Sequence, residues 1–134
     1  MARAVGRGLP VSFKMSIEVC DFIRGKKSEN AKALLNDVME EKRAVPFKRF
    51  NKDLAHRKSI GPGRYPKKTA GEILRLLEAA EANAQFKGLN TSDLVINHIK
   101  ADKAAMQWHY GRQRRRRMKR INVEIVLEEK KSKK

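Results

Sequence analysis

Apolar residues return at helical spacing three times in the first two-thirds of the chain. Met15, Val19, Phe22 and Ile23 share one face of a segment from about Phe13 to Arg24, since residues three and four apart stack on one side of a helix. Ser12 stands where a cap belongs, and Gly25 supplies the stop. Ser28 is the capping candidate of a second helix, with Glu29 in the first turn, where the helix dipole favours an acid. Ala31, Leu34, Leu35, Val38 and Met39 form its stripe, and Pro46 lies beyond its end near Arg43. A third, longer helix opens at Pro66, runs through Ile73, Leu74, Leu77, Ala80 and Ala84, and stops at Gly88. Gly71 costs its opening turn about 1 kcal/mol relative to alanine.

The period then changes. Ile121, Val123, Ile125 and Leu127 alternate with Asn122, Glu124 and Val126, the pattern of a half-buried strand. Leu94 to Ile99 is a second β-rich run, preceded by the turn-forming Asn90, Thr91, Ser92 and Asp93. Antiparallel pairing of the two makes residues 100–120 a long hairpin turning near Gly111. Legs of roughly ten residues, at about 3.3 Å each, reach on the order of 30 Å. Neither leg alternates well enough to bury itself, so the tip is expected to be mobile alone and to order on a partner. Residues 130–134 read as a basic tail.

Composition narrows the class. The 134 residues suit one domain, and a 40% hydrophobic share is enough for a core. Cys20 is the single cysteine, which excludes an intrachain disulfide. No run of apolar residues is long enough for a membrane-spanning helix. Residues 1–10 carry Arg3 and Arg7 without an apolar stretch, so no secretory signal is expected. A soluble intracellular basic domain remains.

Charge changes the picture more. The net charge is +17, from 32 basic and 15 acidic residues. From Lys42 to Lys68 there are ten basic residues against Asp53 alone, and from Lys100 to Arg120 nine against Asp102 alone. The remaining 86 residues hold thirteen charges of each sign. A balanced body thus carries two cationic stretches, which repel themselves unless a polyanion neutralises them. Nucleic acid is the partner this implies.

No catalytic or metal chemistry emerges beside it. His56, His98, His109 and Cys20 share no ligand spacing, and Cys20 falls on an apolar helical face, where a structural thiol belongs. Gly61-Pro62-Gly63 lacks the Gly-Lys-Ser/Thr of a phosphate loop and reads as a rigid turn. Glu72, Glu78 and Glu81 read as solvated helix acids. Neither an enzyme nor a cofactor is expected. RNA chemistry fits better. Arg114, Arg115, Arg116 and Arg117 are consecutive, flanked by Arg112, Lys119 and Arg120, with Lys103 on the opposite leg. Guanidinium groups grip phosphate in pairs of bonds and stack on bases. Trp108, His109 and Tyr110 precede that run and suit stacking on unpaired bases. In the first stretch Phe47, Phe50 and Tyr65 interleave with Lys48, Arg49, Lys52, Arg57, Lys58 and Arg64, followed by Lys67 and Lys68. Core packing is the competing role of Phe47 and Phe50. A DNA-compacting protein and an RNA-processing enzyme built on Glu78 are the rival readings; no helix-turn-helix or zinc-finger signature favours duplex DNA.

Four segments in order carry a family likeness: Ile23-Arg24-Gly25-Lys26-Lys27, Ala44-Val45-Pro46-Phe47-Lys48-Arg49-Phe50-Asn51, Gly61-Pro62-Gly63-Arg64-Tyr65-Pro66-Lys67-Lys68 and Ala79-Ala80-Glu81-Ala82-Asn83-Ala84. The sequence resembles large-subunit ribosomal protein twenty-two of the archaeal and eukaryotic type, from about Leu9 to Glu129. The resemblance implies an α+β fold of three helices packed on a small antiparallel sheet, with a long protruding β-hairpin. It makes residues 1–134 a single domain, with residues 44–68 a basic loop insertion that bacterial members lack. It also implies a cytoplasmic constituent of the large ribosomal subunit that binds large-subunit rRNA of the 23S type. The body would lie near the polypeptide exit, beside neighbouring large-subunit proteins, and the hairpin would reach the exit-tunnel wall. Met106, Gln107, Trp108, His109, Tyr110, Gly111 and Arg112 are then the tunnel-facing candidates, with nascent-chain contact at the tip. Membrane and small-molecule partners are not implied. This hairpin departs from the family pattern in being several residues shorter. It carries Tyr110-Gly111-Arg112-Gln113-Arg114 where members often have a Pro-Arg-Ala-x-Gly-Arg-like stretch.

Overall fold

Each helical stripe forms a helix in the computed structural model, which describes residues 1–130. These are α1 (Phe13–Ile23), α2 (Ser28–Met39) and α3 (Lys67–Phe86). Of the expected basic tail, residues 131–134 lie outside the described residues. The alternating run forms a strand (Ile121–Glu129) that pairs antiparallel with Leu94–Lys103, from Leu94 opposite Glu129 to Lys103 opposite Ile121. A third strand, Ala2–Leu9, pairs on the other side of Ile121–Glu129. The fold is α+β, as expected, with this N-terminal strand as an addition to it.

In chain order the strands are β1 (Ala2–Leu9), β2 (Val45–Pro46), β3 (His56–Arg57), β4 (Gly61–Arg64), β5 (Leu94–Lys103) and β6 (Ile121–Glu129). The main sheet has the order β1-β6-β5, and its central strand turns Ile121, Val123, Ile125 and Leu127 into the core. The helices cover that face, α1 against β5 and α3 against β1 and β6, with α2 packed on α3. Ala2 and Ala4 of β1 are buried, and Asn83 and Lys87 of α3 donate to the carbonyls of Arg3 (2.9 Å) and Met1 (3.2 Å). The open face mixes polar residues with Val5 and Val126; there Glu124 pairs with Arg3 at 2.8 Å. The second sheet, β2-β4-β3, is built by the loop between α2 and α3.

The helix starts differ in detail from the sequence pattern. Ser12 caps α1 through its carbonyl, which accepts from the Ser16 amide at 2.9 Å, and its side chain makes no capping bond. Ser28 is the first residue of α2 instead of its cap; that place falls to Lys27. The reason is tertiary: Ile96 of β5 donates to the Lys26 carbonyl and accepts from Gly25, both at 3.0 Å, and Lys27 bridges Val95. This pairing holds Lys27 extended, at φ −61° and ψ 144°. Ser28 is left buried, with its Oγ unpartnered. Pro66 likewise caps α3 from outside: Lys67 donates to the Tyr65 carbonyl at 2.8 Å, a tight turn that keeps Pro66 non-helical at ψ 68°.

Candidate nucleic-acid interface

The first cationic stretch is anchored from below by a residue that the charge pattern did not single out. Glu18 of α1 is buried, 2% exposed, and its carboxylate accepts three successive backbone amides. Lys48 donates to Oε2 at 3.0 Å, and Arg49 and Phe50 donate to Oε1 at 2.9 and 2.8 Å. A buried carboxylate is tolerable only with such donors. The cradle turns the Lys48 and Arg49 side chains outward, and both are exposed. Phe47 enters the core, which settles its role as packing. Phe50 stays half-buried with its ring centroid 6.3 Å from that of Phe13, and the Arg49 guanidinium sits over its face at 5.3 Å.

Past this cradle the chain forms the small sheet. Phe47 donates to the Pro62 carbonyl at 2.9 Å, and β4 runs between β2 and β3. Gly63 suits the close approach here: a Cβ would lie 3.2 Å from the Val45 carbonyl oxygen, tighter than most side chains come to a neighbour. So Gly61-Pro62-Gly63 is a strand of the basic loop, not only a turn. Lys52, Arg57, Lys58, Arg64, Lys67 and Lys68 are all exposed around it, and Arg57 lies over the half-buried Tyr65 ring at 5.2 Å. Lys67 pairs with Glu41 at 2.7 Å, and its hydrogen bond and charge hold the Glu41 carboxyl below its ordinary value.

The second stretch leaves the main sheet at Lys103 and Ile121. Beyond them Ala104 donates to Arg120 (3.1 Å), Met118 to Gln107 (2.7 Å) and His109 to Arg116 (2.8 Å), with Trp108 opposite Arg117. The chain reverses over Gly111–Gln113, close to the expected turn, helped by left-handed backbone at Gly111 and Arg115. Arg117 covers the Trp108 ring at 4.2 Å. Trp108 is 56% and Tyr110 88% exposed; His109 is half-buried, and Met106, Gln107, Gly111 and Arg112 are exposed. Arg114 through Arg117 and Lys119 are exposed, and Arg120 is half-buried at the root.

Ion pairs separate these cations from those of the body. In the two stretches they engage Lys42, Arg43, Lys67 and Lys100. The hydrogen bond to Asp102, then its charge, raises Lys100 above its usual value. Among the described residues every other lysine and arginine of the two stretches lacks a carboxylate at salt-bridge distance. Several of the body's acids pair within the body, as in Lys32 to Glu81 at 2.8 Å and Arg75 to Glu72 at 3.6 Å, while Asp37, Glu40 and Glu41 pair with Arg43, Lys42 and Lys67 at the edge of the first stretch. His56, His98, His109 and Cys20 do not converge, and among the described residues no cluster of metal-binding side chains occurs. Burial pushes the Cys20 thiol up to about 12, the state of an inert core group.

Comparison with known proteins agrees with the sequence likeness. Residues 4–127 match the family described as ribosomal protein L22p/L17e. The large ribosomal subunit protein uL22 of Archaeoglobus fulgidus is 45% identical, over 95% of this chain and 87% of its own length. Proteins of the same name from Methanococcus aeolicus and Thermofilum pendens are 42% and 40% identical over 96% of this chain and 89% of theirs. Identity at this level along almost the whole length leaves the relationship in no doubt, and the chain belongs to the ribosomal protein L22p/L17e family.

Proposed function

We propose that the chain is a structural, non-enzymatic constituent of the large ribosomal subunit that binds and organises large-subunit rRNA during assembly. The observation that carries this reading is the segregation of charge: two outward stretches whose cations, apart from Lys42, Arg43, Lys67 and Lys100, have no acidic partner among the described residues, mounted on a body whose charges cancel. Family membership and relatives named as large-subunit proteins support it. In this reading Lys48, Arg49, Lys52, Arg57, Lys58, Arg64, Lys67 and Lys68 neutralise phosphates along the loop, with Tyr65 among them. Lys103, Arg112, Arg114 to Arg117, Lys119 and Arg120 do so along the arm, where Trp108, His109 and Tyr110 stack on bases. The body sits near the polypeptide exit among neighbouring large-subunit proteins, and residues 106–112 reach toward the tunnel wall and the nascent chain. The protein works in the cytoplasm.

Sedimentation of a native lysate at moderate salt tests the assignment. Co-migration with large subunits, abolished by ribonuclease, is the expected result. Persistence in light fractions or with chromosomal DNA refutes it. With roughly ten phosphates neutralised, affinity for rRNA falls with a log–log salt slope of about −7 to −9. A slope shallower than about −3 refutes the two-stretch interface.

A further inference from the structure

At the root of the arm, where β6 begins and α1 starts, lies a cavity of about 380 Å³. Its apolar lining comes from Val11, Phe13, Met106 and Ile121. Ser12, Lys14, Lys103, Lys119 and Arg120 complete it, and none of the four cations makes an ion pair among the described residues. No acid lines it. An apolar, aromatic-bearing hollow ringed by unpaired cations matches a flat apolar group attached to anions. From this we infer that the cavity seats one unpaired nucleobase of RNA, stacked on Phe13, with the adjoining phosphates held by the four cations. The inference rests on the rRNA-binding reading above and adds a specific site to it.

Three observations favour a nucleotide. The size falls at the lower end of the range for small-ligand sites, about 300–1,000 Å³. The Lys103 ammonium lies over the Phe13 ring at 5.3 Å. A base that takes its place on the ring leaves that flexible ammonium free to swing to the base's own phosphate, so one cation–π contact is exchanged for a stack and an ion pair. The seat is also continuous with both cationic stretches. Lys103, Met106, Lys119 and Arg120 belong to the arm, while Phe13 meets Phe50 of the loop at 6.3 Å, and Lys14 lies over the Phe50 ring at 5.7 Å.

Stacking and phosphate contacts separate by salt dependence, because only the latter release counterions. The test titrates the full chain with purified large-subunit rRNA of Archaeoglobus fulgidus across a salt series. Phe13→Leu keeps the wall apolar and removes the aromatic face. Ser12→Trp fills the cavity from a residue that lines it and makes no capping bond. Both are expected to weaken binding about tenfold at each salt concentration with an unchanged slope. Lys103→Gln is expected to make the slope shallower by just under one unit. Ultraviolet cross-linking of the wild-type complex, read by mass spectrometry, should place a nucleotide adduct on the peptide containing Phe13; this readout needs no variant to fold. Wild-type affinity in both cavity variants, or adducts on loop and tip peptides with none at Phe13, overturns the seat and leaves the rRNA reading standing. Cross-linking of Phe13 to a neighbouring protein in whole subunits overturns it equally. A wild-type chain that does not prefer rRNA to duplex DNA overturns both.

Discussion

Replacing Glu18 with glutamine tests how the basic loop is held. The change keeps the shape of the side chain, removes its charge and turns one oxygen into a donor. The remaining oxygen can serve Arg49 and Phe50, now 2.9 and 2.8 Å from Oε1. The new amide then faces the Lys48 N–H, held at 3.0 Å from Oε2, donor against donor. Two charge-assisted bonds become neutral, a loss of about 1 kcal/mol each, and one partly buried donor is left unmet at about 1–3 kcal/mol. Relief from burying an ionised group returns part of this. The net cost is about 2–3 kcal/mol, a substantial share of a stability of about 5–15 kcal/mol. Urea unfolding with unchanged m-value measures it, and the melting temperature should fall by roughly 10 °C. Hydrogen exchange at the amides of residues 48–50 should accelerate ahead of that of β6. An unchanged midpoint, or undisturbed exchange at those three amides, refutes the cradle.

The remaining predictions concern the arm, α3 and the core thiol. Changing Arg114, Arg115, Arg116 and Arg117 together to glutamine should make the rRNA salt slope shallower by about 3 units. It should leave the urea midpoint unmoved, since all four are exposed without acidic partners. Gly71→Ala should stabilise by about 0.5–1 kcal/mol in thermal unfolding, because its Cβ meets only the Met39 sulfur, at an ordinary 3.5 Å. For Cys20, raised from 9.0 to about 12, the unfolded chain releases its thiol proton above pH 9 while the folded chain keeps it. Stability therefore falls as pH rises from about 9 towards 12, by about 1.4 kcal/mol per unit from this group. Cys20→Ala should flatten that part of the alkaline slope. Native wild-type chain should also resist thiol alkylation at pH 8.

What the sequence disclosed followed burial. Ile121, Val123, Ile125 and Leu127 were legible because a strand with one buried face must alternate, and large aliphatic residues make the alternation plain. β1 alternates too, Ala2 and Ala4 inward against Arg3 and Val5, but alanine is a weak hydrophobic signal. Small residues stand there because α3, with Ala80 and Ala84 buried, packs on β1. The loop sheet was hidden for another reason: its strands hold Pro46, Gly61, Pro62 and Gly63, which propensity assigns to turns. Glu18 did leave a trace. It falls three residues after Met15 and four before Phe22, on the apolar stripe itself, and a lone acid on such a face announces a buried polar contact. Its partners were invisible, because nothing local joins residue 18 to residues 48–50.

The two cationic stretches, alike in composition, differ in what holds them before RNA arrives. The loop has an internal counter-ion in Glu18, the only buried charged group among the described residues, and a small sheet closed on Gly63. The arm has neither. Past Lys103 its legs share a handful of backbone bonds and the Arg117 contact with Trp108. Ordering costs about 1–2 kcal/mol per residue, whereas each bond returns about 0.5–1.5 kcal/mol and an exposed cation–π contact about 0.5–1 kcal/mol. The balance favours opening, and the crowded arginines add repulsion that only phosphate removes. In the free chain the amides of residues 109–117 should therefore exchange near their intrinsic rates, while those of residues 48–50 stay protected. Both sets should be protected in the assembled subunit. If the tip amides of the free chain are protected as strongly as Ile125, the arm supports itself, and the division into a preformed loop and an arm completed by its partner is wrong.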